Sequence, residues 1–262
     1  MTHPKDETML LYRSLIRCKF VFLRNRKGLV YPVNVGRNIA RETATTHYVL
    51  PSDIELYPSP GLIGAFLDFM RREKQAEMNA SGGSLPVPST VPRVYVLPIF
   101  EIAANMSQPE TKAELVKMLK NGSAIPFHKK LCPGCHAVPK AKEWQEESLE
   151  EGEMNAFHVG KRIGAFAHWE PIFIGTDDEP PYDERLSWEG KRDKMTQGYA
   201  LCTSDYEFRI LNRAFLAHRP GIKTYKNDPK RSALSAKTNT LIKNVIAPEL
   251  KVLYGTRKGC TV

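Results

Sequence analysis

Two carboxylates separated by a single residue, Asp53 and Glu55, stand shortly after an apolar segment, 47–50. In an extended chain, residues i and i+2 point to the same side, so both carboxylates can face one cation. Mg²⁺ and Mn²⁺ prefer oxygen ligands of this kind and share them with phosphate oxygens. The spacing therefore permits a metal site for a nucleotide diphosphate, although an acid-x-acid triplet is more often a solvated turn or a helix cap.

A second pattern, Cys132-Pro133-Gly134-Cys135-His136, permits a redox pair, half of a zinc site or a haem attachment. A zinc site needs further ligands, and only His128 and His136 lie near the cysteines in the sequence. A redox pair would need a βαβ context that the surrounding loop does not offer. The pattern therefore favours a structural cysteine pair, either reduced or joined as a disulfide.

Two further sites could carry chemistry. Asp183 and Glu184 precede Arg185, and two acids beside an arginine can provide a general base with a charge partner. His218 ends an apolar run and could bind a metal. A surface ion pair and a structural histidine are the more common readings of these two patterns.

Composition narrows the class of protein. The 262 residues are 42% hydrophobic and 26% charged, as in globular proteins, and the formal net charge is +9. The basic residues form no stripe interleaved with aromatics, which argues against nucleic-acid binding.

Three N-x-S/T sequons, at Asn79, Asn105 and Asn121, favour the secretory pathway. The polar start, 1–9, and the short apolar run 20–23 predict neither a signal peptide nor a membrane span, so we expect a cytosolic chain or a piece of a longer one.

Hydrophobic periodicity predicts helices at 31–43, 61–72, 111–120 and 232–253, the last interrupted near Pro248. Strands are predicted at 47–50, 94–100, 171–175 and 208–211, and a surface loop at 73–92. In the first helix, Ile39 lies on an apolar face and Arg37 and Asn38 lie on another. Alternating strands and helices indicate a single α/β domain, 1–262, with a mixed sheet.

The order of these motifs, from about Met9 to the C-terminus, resembles the β-1,4-glucuronyltransferase and LARGE-type enzymes of glycosyltransferase family 49. The motifs that carry the resemblance are Tyr31-Pro32-Val33-Asn34-x-x-Arg37-Asn38-Ile39-Ala40-Arg41, Asp53-Ile54-Glu55, Leu97-Pro98-Ile99-Phe100-Glu101-Ile102, Cys132-x-x-Cys135, Trp169-Glu170-Pro171, Tyr182-Asp183-Glu184-Arg185, Tyr206-Glu207-Phe208 and Phe215-Leu216-Ala217-His218.

The resemblance implies a GT-A-like fold for nucleotide-diphospho-sugar transfer, of which the N-terminal part is missing from this chain. It implies an inverting transfer from a UDP-sugar donor, UDP-glucuronic acid for the β-1,4-glucuronyltransferases, to a xylose on an O-mannosyl glycan of a glycoprotein. It also implies a membrane anchor in the full-length protein and a position on the lumenal side of the Golgi membrane.

The family's metal ligands fall on Asp53, Glu55 and His218, which would bind Mn²⁺ at the donor diphosphate. In this chain Glu55 stands at the third position of the family's Asp-x-Asp motif, and Asp193 stands where the family has asparagine.

For the base that takes the proton of the acceptor hydroxyl, we expect Asp183, with Glu184 second. Arg37 and Asn38 are expected to contact the donor, because an arginine can bind phosphate or carboxylate with two hydrogen bonds. Two other functions are also considered, a catalytically inactive glycosyltransferase-like binding protein and a zinc or redox module that uses Cys132 and Cys135.

Overall fold

The computed structural model describes residues 29–80, 91–147, 152–219 and 221–262. Its strands are β1 (Leu56–Pro58), β2 (Arg93–Leu97), β3 (Ile99–Ile102), β4 (Ala124–Pro126), β5 (Ala156–Gly160), β6 (Ile172–Ile174), β7 (Glu207–Leu211) and β8 (Leu216–His218). Its α-helices are α1 (Val33–Glu42), α2 (Leu62–Ala80), α3 (Lys112–Asn121), α4 (Ala141–Glu146), α5 (Met195–Thr203), α6 (Pro229–Leu241) and α7 (Ala247–Tyr254).

The strands form two mixed four-stranded sheets with the orders β1-β8-β3-β4 and β5-β7-β2-β6. In each sheet the two central strands are parallel and both outer strands are antiparallel to their neighbours. The α/β class and the mixed strand directions expected from the sequence are confirmed. The strands are nevertheless divided between two sheets, whereas a single sheet was expected.

Pro98 is where the chain passes from one sheet to the other. The segment 94–100, predicted as one strand, is β2 and β3 in different sheets. Proline has no N–H to continue a ladder, and here its carbonyl accepts a hydrogen bond from Leu216 N at 2.8 Å. Strands β7 and β8 change sheets in the same way and run parallel to β2 and β3. The ends of β3 and β8 therefore lie side by side, with Glu101 opposite His218.

Two sequence predictions for local structure were wrong. The segment 47–50 contains no strand and only an isolated bridge from Val49 to Gly175. The predicted loop 73–92 begins with helix, because α2 continues to Ala80. Its residues 73–80 include Glu, Lys, Gln, Ala and Met, which are strong helix formers. Residues 81–90 lie outside the described ranges.

The predicted helices at 61–72, 111–120 and 232–253 are confirmed as α2, α3 and the segment from α6 to α7. Thr111 caps α3 by accepting a hydrogen bond from Glu114 N. The expected interruption near Pro248 is a π-helical turn, Ile242–Ile246, that separates α6 from α7. None of the helices in the described ranges combines the length and the apolar composition that a bilayer span requires.

Helix α1 packs with its polar side inward. Asn34, Arg37, Asn38 and Arg41 are buried, while Ile39 is 44% exposed. Of the apolar face noted in the sequence, Val33 is buried, but Ile39 lies on the outside. The reason is that α1 lies against a polar segment, 179–193, whose backbone and carboxylates accept hydrogen bonds from these side chains.

The described residues contain two disulfides, one between cysteines that are close in sequence and one between cysteines that are far apart. Cys132 bonds to Cys135, which confirms the structural pair favoured from the sequence. Cys202 in α5 bonds to Cys260 in the C-terminal segment, a pairing that the sequence pattern did not suggest. The second disulfide holds the C-terminal segment against α5.

Replacing Cys202 and Cys260 by serine is expected to lower the free energy of unfolding by about 2–4 kcal/mol, since the disulfide closes a long loop in the unfolded chain. Urea unfolding followed by circular dichroism measures the change. The matched control is Cys132→Ser with Cys135→Ser, which opens a loop of sequence separation 3 instead of 58 and should cost less. Equal losses in the two double variants would contradict this expectation.

Candidate functional site

The imidazole of His218 is fully buried at the end of β8 and is oriented by one hydrogen bond. Its Nδ1 lies 3.0 Å from the carbonyl oxygen of Gly221, which can only accept, so Nδ1 carries the proton. Burial, followed by the nearby charge of Lys223, lowers the pKa of His218 and keeps the ring neutral. Nε2 therefore presents a lone pair, and it has no hydrogen-bond partner among the described residues.

Glu55 faces this nitrogen. Its Oε2 lies 3.4 Å from His218 Nε2 and 3.5 Å from Lys223 Nζ. The two residues meet because Leu56 of β1 pairs with His218 of β8 in the antiparallel ladder. A neutral imidazole whose other nitrogen donates to a carbonyl is the usual arrangement of a metal-binding histidine. Glu55 and His218 thus place a carboxylate beside a neutral imidazole nitrogen, and their binding of a metal stays a prediction.

Glu101 fixes the loops around this pair. The residue is fully buried, and its carboxylate accepts hydrogen bonds from His128 N at 3.3 Å and Lys223 N at 3.1 Å. Burial raises the pKa of Glu101, although both backbone donors oppose the shift. In the sequence, Glu101 stood out only as part of the motif 97–102 that the family shares. The signal for its role was a lone acid within the apolar run Leu97–Ile102.

Asp53, the third predicted ligand, is placed in a separate ion cluster. Its Oδ1 is 2.7 Å from Arg37 Nη2 and its Oδ2 is 3.5 Å from Lys194 Nζ. Burial alone would raise the pKa of Asp53, but Lys194 and Arg37 outweigh burial and hold the pKa well below its usual range. Within the described residues, no three His, Cys, Asp or Glu side chains are grouped closely enough to hold an ion as they stand.

Arg37 connects α1 to both aspartates of this cluster. Its Nη2 binds Asp53, and its Nη1 donates to Asp193 and to Asn34 Oδ1. Its guanidinium also lies 5.3 Å from the centre of the Tyr182 ring. Both ends of the guanidinium are therefore used within the protein, and its predicted contact to the donor stays a prediction.

The side-chain amide of Asn38 also makes its hydrogen bonds within the protein. Its amide nitrogen donates to Tyr182 O at 2.9 Å and Glu184 Oε1 at 3.0 Å, and its amide oxygen accepts from Tyr182 N. Asn34 adds hydrogen bonds to the carbonyl oxygens of Asp183 and Asp193. These contacts hold the segment that carries the predicted base in place against α1. The predicted donor contact of Asn38 likewise stays a prediction.

Asp183, the predicted base, forms an ion pair with Arg185. Arg185 approaches both carboxylate oxygens, at 3.0 and 2.7 Å, and also contacts Glu249 of α7 at 2.7 Å. Glu184 accepts its hydrogen bond from Asn38 instead. The structure thus places the two acids in different hydrogen-bonding environments, and the choice between them as base stays a prediction.

A cluster of rings lies next to the Glu55–His218 pair. Phe127 stacks on His128 with ring centres 3.9 Å apart and contacts His136 and His218 at 5.0 and 5.3 Å. Burial lowers the pKa of His128 to about 3 and that of His136 to about 4, with further contributions from His136 and Lys194 respectively. His136 is held by the Glu170 carbonyl, 3.0 Å from Nδ1. These imidazoles are therefore neutral at physiological pH.

All three sequon asparagines, Asn79, Asn105 and Asn121, are exposed. Asn79 lies near the end of α2 and Asn121 is the last residue of α3. Their exposure leaves room for a glycan, and their modification stays a prediction.

Arg37→Met is expected to lower the free energy of unfolding by about 3–5 kcal/mol, because it leaves the nearly buried Asp193 and the partly buried Asp53 without their closest cation. Arg37 is 6% exposed, whereas Arg71, which pairs with Asp68, is 75% exposed. Arg71→Met is therefore the matched control, with an expected loss below about 1 kcal/mol. Chemical denaturation measures both, and similar losses would show that the Arg37 cluster contributes little to stability.

Stability should also fall as the pH is lowered from about 6.5 toward 4. The pKa values of His128 and His136 in the folded protein are below the usual histidine value of 6.5, so the unfolded chain binds more protons in this range. Replacing both histidines by asparagine should flatten the dependence, which is up to about 1.4 kcal/mol per pH unit for each imidazole. Urea unfolding at several pH values measures the slope. An unchanged slope in the double variant would exclude these two groups as its source.

Comparison with known proteins agrees with this architecture. Residues 11–255 match a family described as "Glycosyl-transferase for dystroglycan". The chain is 30% identical to Beta-1,4-glucuronyltransferase 1 of Danio rerio over 86% of the chain and 48% of that protein, and 30% identical to the Homo sapiens protein over 86% of the chain and 49% of that protein. It is 29% identical to Xylosyl- and glucuronyltransferase LARGE2s of Gallus gallus over 80% of the chain and 25% of that protein.

The chain thus spans about half the length of the β-1,4-glucuronyltransferases that it matches. The two mixed sheets with flanking helices are consistent with the GT-A-like fold expected from the resemblance. Since the family match covers most of the sequence, this chain belongs to glycosyltransferase family 49.

Proposed function

We propose that this protein is an inverting, metal-dependent glycosyltransferase that takes glucuronic acid from UDP-glucuronic acid and adds it to a xylose-type acceptor on an O-mannosyl glycan of a glycoprotein. Family membership and the names of the relatives support transfer of a sugar from a nucleotide donor. The observation that carries the proposal is the buried His218 Nε2, which has no hydrogen-bond partner among the described residues and faces Glu55 Oε2.

The proposed metal ligands fit Mn²⁺ by chemical type. Glu55 and Asp53 offer carboxylate oxygens, and His218 offers a neutral nitrogen whose orientation Gly221 fixes. Of the two Asp53 oxygens, Oδ1 is held closely by Arg37, while Oδ2 has the longer contact to Lys194. Oδ2 is therefore the oxygen that is more available to a cation. When bound, the ion would supply positive charge that stabilises the departing UDP.

Side chains of this chain would orient the metal ligands and accept the proton of the acceptor hydroxyl. Arg37 keeps Asp53 ionised and oriented, and Glu101 holds two backbone segments near His218. Asp183 is our proposed base for the acceptor hydroxyl, on the face opposite the leaving UDP, and Glu184 is the second candidate. Asn38 orients Glu184 directly through its amide.

We also place the protein on the lumenal side of the Golgi membrane, with a membrane anchor in the full-length protein. Two disulfides support an oxidising compartment, since such bonds persist mainly in secreted and lumenal proteins. Three exposed sequons support the same pathway.

A second candidate is a glycosyltransferase-like binding protein without turnover. It is favoured by the ion cluster, in which Arg37 and Lys194 already match the charge of Asp53. A zinc module is less well supported, because Cys132 and Cys135 form a disulfide and offer no thiolate ligand in this state. A redox module would need a βαβ context, which the sequence around the pair does not offer.

Asp53→Asn is expected to reduce sugar transfer by about 100-fold or more, because it removes one charged ligand from the cation that stabilises the leaving group. The matched control is Asp68→Asn, at a surface acid that is 57% exposed, which should transfer normally. Transfer from radiolabelled UDP-glucuronic acid to a xylose-terminated acceptor measures the rate.

Calorimetric titration of UDP with and without Mn²⁺, together with the transfer assay, distinguishes the two candidates. The enzyme should bind UDP in a Mn²⁺-dependent way and transfer sugar from the donor, whereas the binding protein should bind UDP and show no transfer. Wild-type transfer by Asp53→Asn would contradict the metal assignment.

A further inference from the structure

Lys194 is a nearly buried cation beside the proposed metal ligand Asp53. It immediately precedes α5, and its side chain is 11% exposed. Its Nζ lies 3.5 Å from Asp53 Oδ2 and 3.6 Å from Asp193 Oδ2. A buried ammonium is unfavourable unless it is both paired and hydrogen-bonded. The lengths of these two contacts therefore show whether Lys194 is fully paired within the protein.

Neither contact is a close one. Charge-assisted N–H···O bonds are typically about 2.7–2.9 Å long, clearly shorter than both distances from Lys194. Arg37 instead makes the close contacts to the two aspartates, at 2.7 Å to Asp53 and on the other side to Asp193. Arg37 is therefore the partner that holds the aspartates in place. Lys194 has three N–H donors and is the cation in this cluster that can take another acceptor.

Charge in the cluster favours an anion once a divalent cation is present. Asp53 and Asp193 face Arg37 and Lys194, so two acids balance two bases. A divalent cation on Asp53 would add two positive charges to this balanced cluster. It would also draw Asp53 away from Lys194, which would then lack a close partner. The groups on a nucleotide-sugar donor that can supply the missing charge are its diphosphate and, in a uronic acid, its sugar carboxylate.

We propose that Lys194 binds an anionic oxygen of the nucleotide-sugar donor, the role that sequence analysis gave to Arg37. This rests on the proposed function of the site. The oxygen belongs either to the diphosphate or to the carboxylate of the sugar, and the two sources predict different specificities.

The test uses the purified protein with Mn²⁺ and measures dissociation constants for UDP, UDP-glucose and UDP-glucuronic acid by calorimetry. Lys194→Met should weaken binding by about tenfold to hundredfold, the effect of losing one hydrogen bond to a charged group. Lys194→Arg keeps the charge and should retain part of the affinity. The matched control is Lys142→Met on α4, which removes the same charge from a side chain that is 85% exposed and should bind all three ligands normally.

The three ligands identify the oxygen. Weakened binding of all three assigns Lys194 to the diphosphate, and weakened binding of UDP-glucuronic acid alone assigns it to the sugar carboxylate. Unchanged affinity for all three ligands in Lys194→Met would overturn the proposal while leaving the proposed function intact. Absence of Mn²⁺-dependent UDP binding in the wild-type protein would instead refute the proposed function. Should Lys194→Met fail to fold, Lys194→Gln removes the charge and keeps a hydrogen-bond donor. Its dissociation constants for the three ligands are interpreted in the same way.

Discussion

The bridge that Arg37 makes between Asp53 and Asp193 is the interaction on which the candidate site depends. It joins α1, the turn before β1 and the segment before α5, three parts of the chain that are far apart in sequence. Arg37 and Asp193 are largely buried and Asp53 is partly buried, so the charge of the guanidinium is matched within the protein. Lys194 and Arg37 keep Asp53 ionised, with one oxygen held by Arg37 and the other more available.

A second constraint comes from the sheets. Parallel pairing of β3 with β8 and antiparallel pairing of β1 with β8 bring Glu101, His218 and the end of the Asp53–Glu55 segment to one edge. Glu101 then holds two segments near His218 by accepting hydrogen bonds from the backbone N–H groups of His128 and Lys223. The imidazole is consequently held with its Nδ1 proton on Gly221 and its Nε2 toward Glu55. This preorganisation is what a metal-binding histidine requires.

Much of the fold could be predicted from the sequence, because helices such as α3 carry local periodicity and caps. Pairing between Glu55 and His218 could be anticipated only through family resemblance, since strand register is a long-range property. The inward face of α1 could not be predicted, because Arg37 and Asn38 pack against polar groups that only the folded chain supplies. Lys194 was missed for the same reason, because its partner Asp53 lies far from it in the sequence.

The most direct test of the central claim, that Asp53, Glu55 and His218 share one divalent cation, is a crystal structure of the protein with Mn²⁺ and UDP, with diffraction data collected at the manganese absorption edge. The predicted result is one anomalous peak within bonding distance of His218 Nε2 and of both carboxylates, with the diphosphate next to it. A peak elsewhere in the molecule, or an ordered UDP with no peak between these three side chains, would contradict the claim.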